Sequence, residues 1–152
     1  MYEDTARSPL PPAWHVAQLR VPLFEVDLGH AVYHGNYFHL FELAREAFLR
    51  DLEYPYRRFM EQQLHLTVVD LSCIYRRPLH YDDSIEVHTA VLGWRRRSIA
   101  FSQAIFRNGG EREATLCTQA RLRMVCVQFT GRPTVLPQDF IDRLKQHSPA
   151  QE

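Results

Sequence analysis

The chain is poor in several things, and each shortage closes a class of function. It carries no net charge, 18 Lys+Arg standing against 18 Asp+Glu. No global field therefore draws it to nucleic acid or to an anionic membrane, and recognition of a charged ligand must be local. No apolar run approaches the roughly 20 residues of a membrane span, and the opening Met1-Tyr-Glu-Asp-Thr-Ala-Arg-Ser-Pro-Leu-Pro-Pro12 lacks the apolar stretch of a secretory signal. A soluble, cytoplasmic protein is the expectation. Cys73, Cys117 and Cys126 are odd in number and widely spaced with no C-x-x-C pair, which predicts buried reduced thiols in place of disulfides or a zinc site. His30, His34 and His39 are joined by no H-E-x-x-H or histidine-plus-cysteine spacing, so no metal is expected.

What the chain does have is the material for one domain: 152 residues, 45% hydrophobic, enough for a core without disulfide staples. Residues 1–14, with Pro9, Pro11 and Pro12, read as a flexible arm, 15–146 as the domain, and 147–152 as a disordered tail. Gln18–Val26 is a candidate strand in which Pro22 points to an edge or a bulge. From about Asn36 to Leu52, Tyr37, Phe41, Ala44, Phe48 and Leu52 recur at helical spacing. Leu40, Leu43 and Ala47 widen that stripe, predicting a largely buried helix. Its polar side offers the pairs Glu42–Arg45 and Glu46–Arg50.

A helical link around Tyr56–Gln63 follows, and then the period falls to 2 in Val69–Tyr75, Ile85–Val91 and Ile99–Phe106. A fourth strand, about Glu113–Phe129, is expected to place Leu116, Thr118, Ala120, Leu122 and Met124 on one face and Cys117, Gln119, Arg121 and Arg123 on the other. Pro137 opens a last helix through Phe140, Ile141 and Leu144. The order predicts an α+β domain, an antiparallel sheet wrapped around one long helix.

The chemistry concentrates in Phe24-Glu-Val-Asp-Leu-Gly-His-Ala-Val-Tyr-His-Gly-Asn-Tyr37, where Asp27 leaves an extended segment and a short loop leads into the helix. A helix N-terminus has unpaired N–H groups and a partial positive charge, so it can hold a carbonyl oxygen as that oxygen becomes negative. A nearby carboxylate is anionic at neutral pH without an adjacent base, and can attack the carbonyl carbon or take a proton from water. The alternative is that Asp27 only caps the loop or the helix. The backbone N–H of His34 is the candidate carbonyl donor, its imidazole can orient water, and Gly35 permits close approach to the backbone. Arg95, Arg96 and Arg97, beside Trp94 in a turn between strands, and Arg76-Arg77 are local positive charge suited to phosphates, or else solvated turn residues.

Asp27-Leu-Gly-His-Ala-Val-Tyr-His-Gly-Asn-Tyr37, followed by Phe41-Glu-Leu-Ala-Arg-Glu46 and by Thr130-Gly-Arg-Pro-Thr-Val-Leu-Pro137, resembles the hotdog-fold acyl-CoA thioesterases of the 4-hydroxybenzoyl-CoA thioesterase family, in their YbgC-like branch. The resemblance spans about Arg20 to Leu144. It implies hydrolysis of an acyl-CoA to the free acid and CoA, with Asp27 as the catalytic carboxylate and the backbone N–H near His34 as donor to the carbonyl. The candidate site is then Asp27, Tyr33 and His34 at the reaction, with Gly35, Asn36, Tyr37, Arg95, Arg96 and Arg97 toward the substrate. It also implies homodimers, often paired into tetramers, sites at subunit boundaries, and no cofactor, coenzyme A being part of the substrate. His30 and Leu28 depart from the branch, which places smaller residues there. Glu42 is the rival acid, since another branch uses a carboxylate on the central helix. Two other readings stand beside this one: a thioesterase for acyl or polyketide chains on acyl carrier protein, and a non-catalytic acyl-CoA-binding protein.

Overall fold

The alternating segments form five strands: β1 (His15–Arg20), β2 (Leu64–Tyr75), β3 (Ser84–Trp94), β4 (Ser98–Gly109) and β5 (Arg112–Gln128). The helices are α1 (Tyr37–Asp51), α2 (Arg57–Glu61) and α3 (Gln138–His147), with 3-10 turns at Leu23–Glu25 and His34–Asn36. This computed structural model describes residues 7–149; the parts of the expected arm and tail at 1–6 and 150–152 lie outside the described residues. All strand pairings are antiparallel, in the order β1-β3-β4-β5-β2, and the sheet packs on α1 as the hotdog arrangement requires.

The face α1 turns to the sheet follows from its 3.6 period. Tyr37, Leu40, Phe41, Ala44, Phe48 and Leu49 are buried, against Val87, Ile105 and Ala120 toward its start and Phe101, Leu122 and Met124 toward its end. Each fully buried side chain of that size contributes roughly 1.5–3 kcal/mol. The helix stops in a Schellman motif: Tyr54 N–H bonds Leu49 O at 2.9 Å and Glu53 N–H bonds Arg50 O at 3.0 Å, with Glu53 left-handed at φ 59°. Phe140 and Leu144 of α3 seal that end over Tyr54 and Phe59.

Several expectations need correction. β1 starts at His15 and ends at Arg20, before Pro22, which instead precedes a 3-10 turn because its ring cannot donate to a ladder. β2 begins five residues earlier than its apolar alternation indicated, and a bulge at Val69 explains why the pattern is broken there. Leu43 is exposed, whereas Arg45 is drawn inward to donate to Gln103 Oε1 at 2.9 Å and pairs with no helix carboxylate. Glu46 and Arg50 do approach, at 3.9 Å. Cys117 shares the core with Ala120, which alternation put on the opposite face, because Ile105 pairs with Thr118 and Phe106 with Leu116, leaving Cys117 as the extra residue of a bulge. The cysteines are free, Cys117 and Cys126 buried and Cys73 half-buried.

Candidate active site

Asp27 opens a tight turn closed by its own N–H, which donates to Ala31 O at 3.1 Å, and by a Val26–Val32 bridge. One carboxylate oxygen, Oδ1, accepts the Gly29 N–H at 2.7 Å, so the capping alternative is realised at that oxygen. Oδ2 takes part in none of the hydrogen bonds among the described residues, and Asp27 is exposed. A β-carbon on Gly29 would stand 3.0 Å from Asp27 Oδ1, close enough that the carboxylate would have to shift. His30 holds φ at 64°, a left-handed conformation that a glycine would enter more easily.

The chain then reaches α1 through the 3-10 turn His34–Asn36. Asn36 N–H returns to Tyr33 O, but the N–H groups of His34 and Gly35 meet no acceptor among the described residues. The sequence thus delivers an exposed carboxylate oxygen and two free N–H donors within one short loop at the head of a 15-residue helix. Tyr33 lies against His34, ring centroids 4.2 Å apart, and its ring edge would meet a β-carbon on Gly35 at 3.1 Å. Asn36 and Tyr37 hold this loop from beneath. The Asn36 amide donates to Glu25 O at 3.1 Å, and buried Tyr37 accepts the Leu79 N–H on its hydroxyl at 3.2 Å, burial pushing that phenol's pKa up.

Sequence reasoning missed that the segment 75–79 braces the loop from the other side. Tyr75 donates to His34 O at 2.6 Å, desolvation keeping its phenol protonated. Val32 N–H bonds Leu79 O at 2.9 Å, so Arg76 and Arg77 lie in the segment hydrogen-bonded to the loop at both ends. Arg95, Arg96 and Arg97 are not brought there. Asp27 follows the Arg20–Ser84 end of the sheet, the arginines follow Trp94, and the 11 residues of β3 between them span about 33 Å. Arg95 and Trp94 line an open cleft of about 410 Å³ with Arg123 at that far end. Glu42 lies on α1 at a cavity of about 130 Å³ shared with Arg45, Glu46, Leu49, Tyr56, Leu66, Phe101 and Met124.

The residues 21–144 match the family profile described as the thioesterase-like superfamily. The chain belongs to that superfamily. It is a thioesterase. It is 31% identical over 123 residues to the acyl-CoA thioesterase YbgC of Haemophilus influenzae, covering 80% of this chain and 87% of that one. Among solved structures it is similar to the DHNA-CoA thioesterase of Staphylococcus aureus, with a TM-score of 0.78 at 25% identity over 86% of this chain and 88% of that one. A 4-hydroxybenzoyl CoA thioesterase mutant complexed with 4-hydroxybenzoyl CoA shares the fold, with a TM-score of 0.77 at 20% identity over 85% of this chain and 96% of that one. No helix of the thioesterase, among the described residues, is long and apolar enough to cross a membrane.

Proposed function

We propose that this thioesterase hydrolyses an acyl-CoA to a free carboxylic acid and CoA, with Asp27 as nucleophile or general base and the His34 and Gly35 N–H groups receiving the carbonyl oxygen. The observation that carries the reading is that one short loop holds a carboxylate oxygen, Oδ2, and two N–H donors that have no hydrogen-bond partner among the described residues. Donors already in place stabilise charge that develops only in the transition state, and require no reorganisation as it forms. The carboxylate supplies the anion directly, so the chemistry asks for no metal or organic cofactor.

The site completes itself in a homodimer. β2 is an outer strand that exposes Val68 and Val69, at 41% and 50%, along an edge unpaired among the described residues. Pairing two copies of β2 antiparallel about a two-fold axis sets the partner's Leu64 end beside this chain's Tyr75 end. Leu64 lies at the end of the sheet that carries Arg95–Arg97, since Thr67 pairs with Val125 and Val125 with Ser98. The partner's arginines then come to the end of the sheet where Tyr75 braces the Asp27 loop, displaced sideways from this chain's β2 by three strand spacings, roughly 15 Å. That placement favours a CoA whose phosphates rest on the second subunit. Two such dimers can join into a tetramer.

Asp27→Asn keeps size and hydrogen bonding and removes the anion. Hydrolysis of a panel of short, long and aromatic acyl-CoAs, with an acyl carrier protein thioester included, is expected to fall by about 10² to 10⁴. Glu42→Gln should stay within a few-fold. An active Asp27→Asn beside a dead Glu42→Gln moves the chemistry to the helix acid. No thioester turned over by wild type moves the protein to the binding class.

A further inference from the structure

Glu25 is the single buried carboxylate among the described residues, 2% exposed, and the hydrolysis has no use for it. Both of its oxygens face one nitrogen: His39 Nδ1 lies 3.1 Å from Oε1 and 3.0 Å from Oε2. Opposite a carboxylate that nitrogen is the donor, which leaves Nε2 to the solvent on a ring 60% exposed. His39 is the third residue of α1, and side chains of a first turn lean back toward the helix N-terminus. Glu25 therefore grips the opening of the helix from the segment that leads into Asp27.

The backbone of the same residue grips the other arm of the loop. Glu25 O accepts the Tyr33 N–H at 3.0 Å and the Asn36 amide at 3.1 Å, while its N–H bonds Pro22 O at 3.2 Å. Tyr33 immediately precedes the free N–H of His34, and Asp27 is two residues after Glu25. One residue thus ties together the carboxylate, the donors and the helix that aligns them. A hydrogen bond from a half-exposed ring to a buried carboxylate adds little net stability, but its direction is fixed where an apolar contact can slide.

We propose that Glu25 and His39 are the positioning pair that sets the distance between the Asp27 carboxylate and the His34 and Gly35 N–H groups. The inference rests on the Asp27 reading above. Neither residue touches substrate in this scheme; both act through the loop between them.

The test separates geometry from stability by replacing the whole pair. In Glu25→Leu/His39→Leu no buried charge is left alone, so the thermal midpoint should stay near that of wild type. With the loop free to drift, kcat should fall about 10- to 100-fold, while KM stays within about threefold, because substrate binding outside the reacting centre is untouched. His39→Gln, whose amide can still donate to the buried carboxylate, should hold kcat within about threefold of wild type. Wild-type kcat in a folded double-leucine variant overturns the inference. So does a folded His39→Gln as slow as the double variant, which would give the imidazole a direct part in proton transfer. Asp27→Asn is measured alongside: if it is active, the underlying reading fails, whereas an inactive Asp27→Asn beside a fast double variant sinks the positioning pair alone.

Discussion

At the scale of single residues the site is built by what is small as much as by what is charged. The Gly29 N–H holds Asp27 Oδ1 at 2.7 Å, and a β-carbon on Gly29 would crowd that same oxygen at 3.0 Å. Gly29→Ala should leave the unfolding free energy within about 1 kcal/mol of wild type, since Gly29 has no left-handed φ and lies in an exposed loop. The added carbon must push the carboxylate aside, and kcat should fall about 10- to 100-fold. A denaturant melt and a kcat measurement on the same preparation check both halves. Asp27 stood out in the sequence as a candidate because an acid, a glycine-bearing loop and a helix start are contiguous there. Glu25 was not. It read as one more residue of an extended segment, and its importance comes from His39, a contact across 14 positions that only the tertiary fold makes.

At the scale of elements, the long helix and the order of strands could be read from period alone, because α1 and the sheet each bury one regular face. What could not be read lies where polar groups or bulges override the period. Arg45 belongs by spacing to the solvent side of α1, yet it turns in to Gln103, whose amide also donates to Phe41 O at 3.0 Å and Thr89 Oγ1 at 3.0 Å. Burial holds the Arg45 guanidinium below its ordinary pKa, while the nearby Glu42 and Glu46 favour its charge. Gln103 is thus the bolt between α1 and the middle of the sheet. Gln103→Leu keeps the bulk but strands a half-buried cation and a buried hydroxyl, and should cost about 2–3 kcal/mol in a urea titration. Adding Arg45→Met to that variant should recover part of the loss, because the charge left without its acceptor is removed with it.

The whole molecule raises the question of which subunit supplies which half of the site. In one chain Asp27 and Arg95–Arg97 stand at opposite ends of β3, too far apart for a single extended thioester ligand to engage both with ease. The proposed two-fold pairing of β2 would bring the partner's arginines to the same end of the sheet as this chain's Asp27 loop instead. Changing Arg95, Arg96 and Arg97 together to Gln should raise KM for acyl-CoA more than it lowers kcat, because a phosphate contact far from the thioester is kept in ground and transition states alike. Mixed dimers then decide the geometry. A subunit bearing Asp27→Asn has good arginines and no carboxylate; a subunit bearing the three Gln changes has the carboxylate and no arginines. If the site is shared across the two-fold axis, each mixed dimer contains one site with an intact Asp27 facing an intact arginine turn. A random half-and-half mixture should therefore regain about a quarter of wild-type kcat/KM, carried by the mixed half of the dimers. If Arg76 and Arg77 of the same chain hold the phosphates, the three Gln changes leave KM alone and mixing gains nothing over the average of the parents. Light scattering on the same samples checks the premise, since a species of 17.9 kDa at assay concentration would leave no second subunit to share a site.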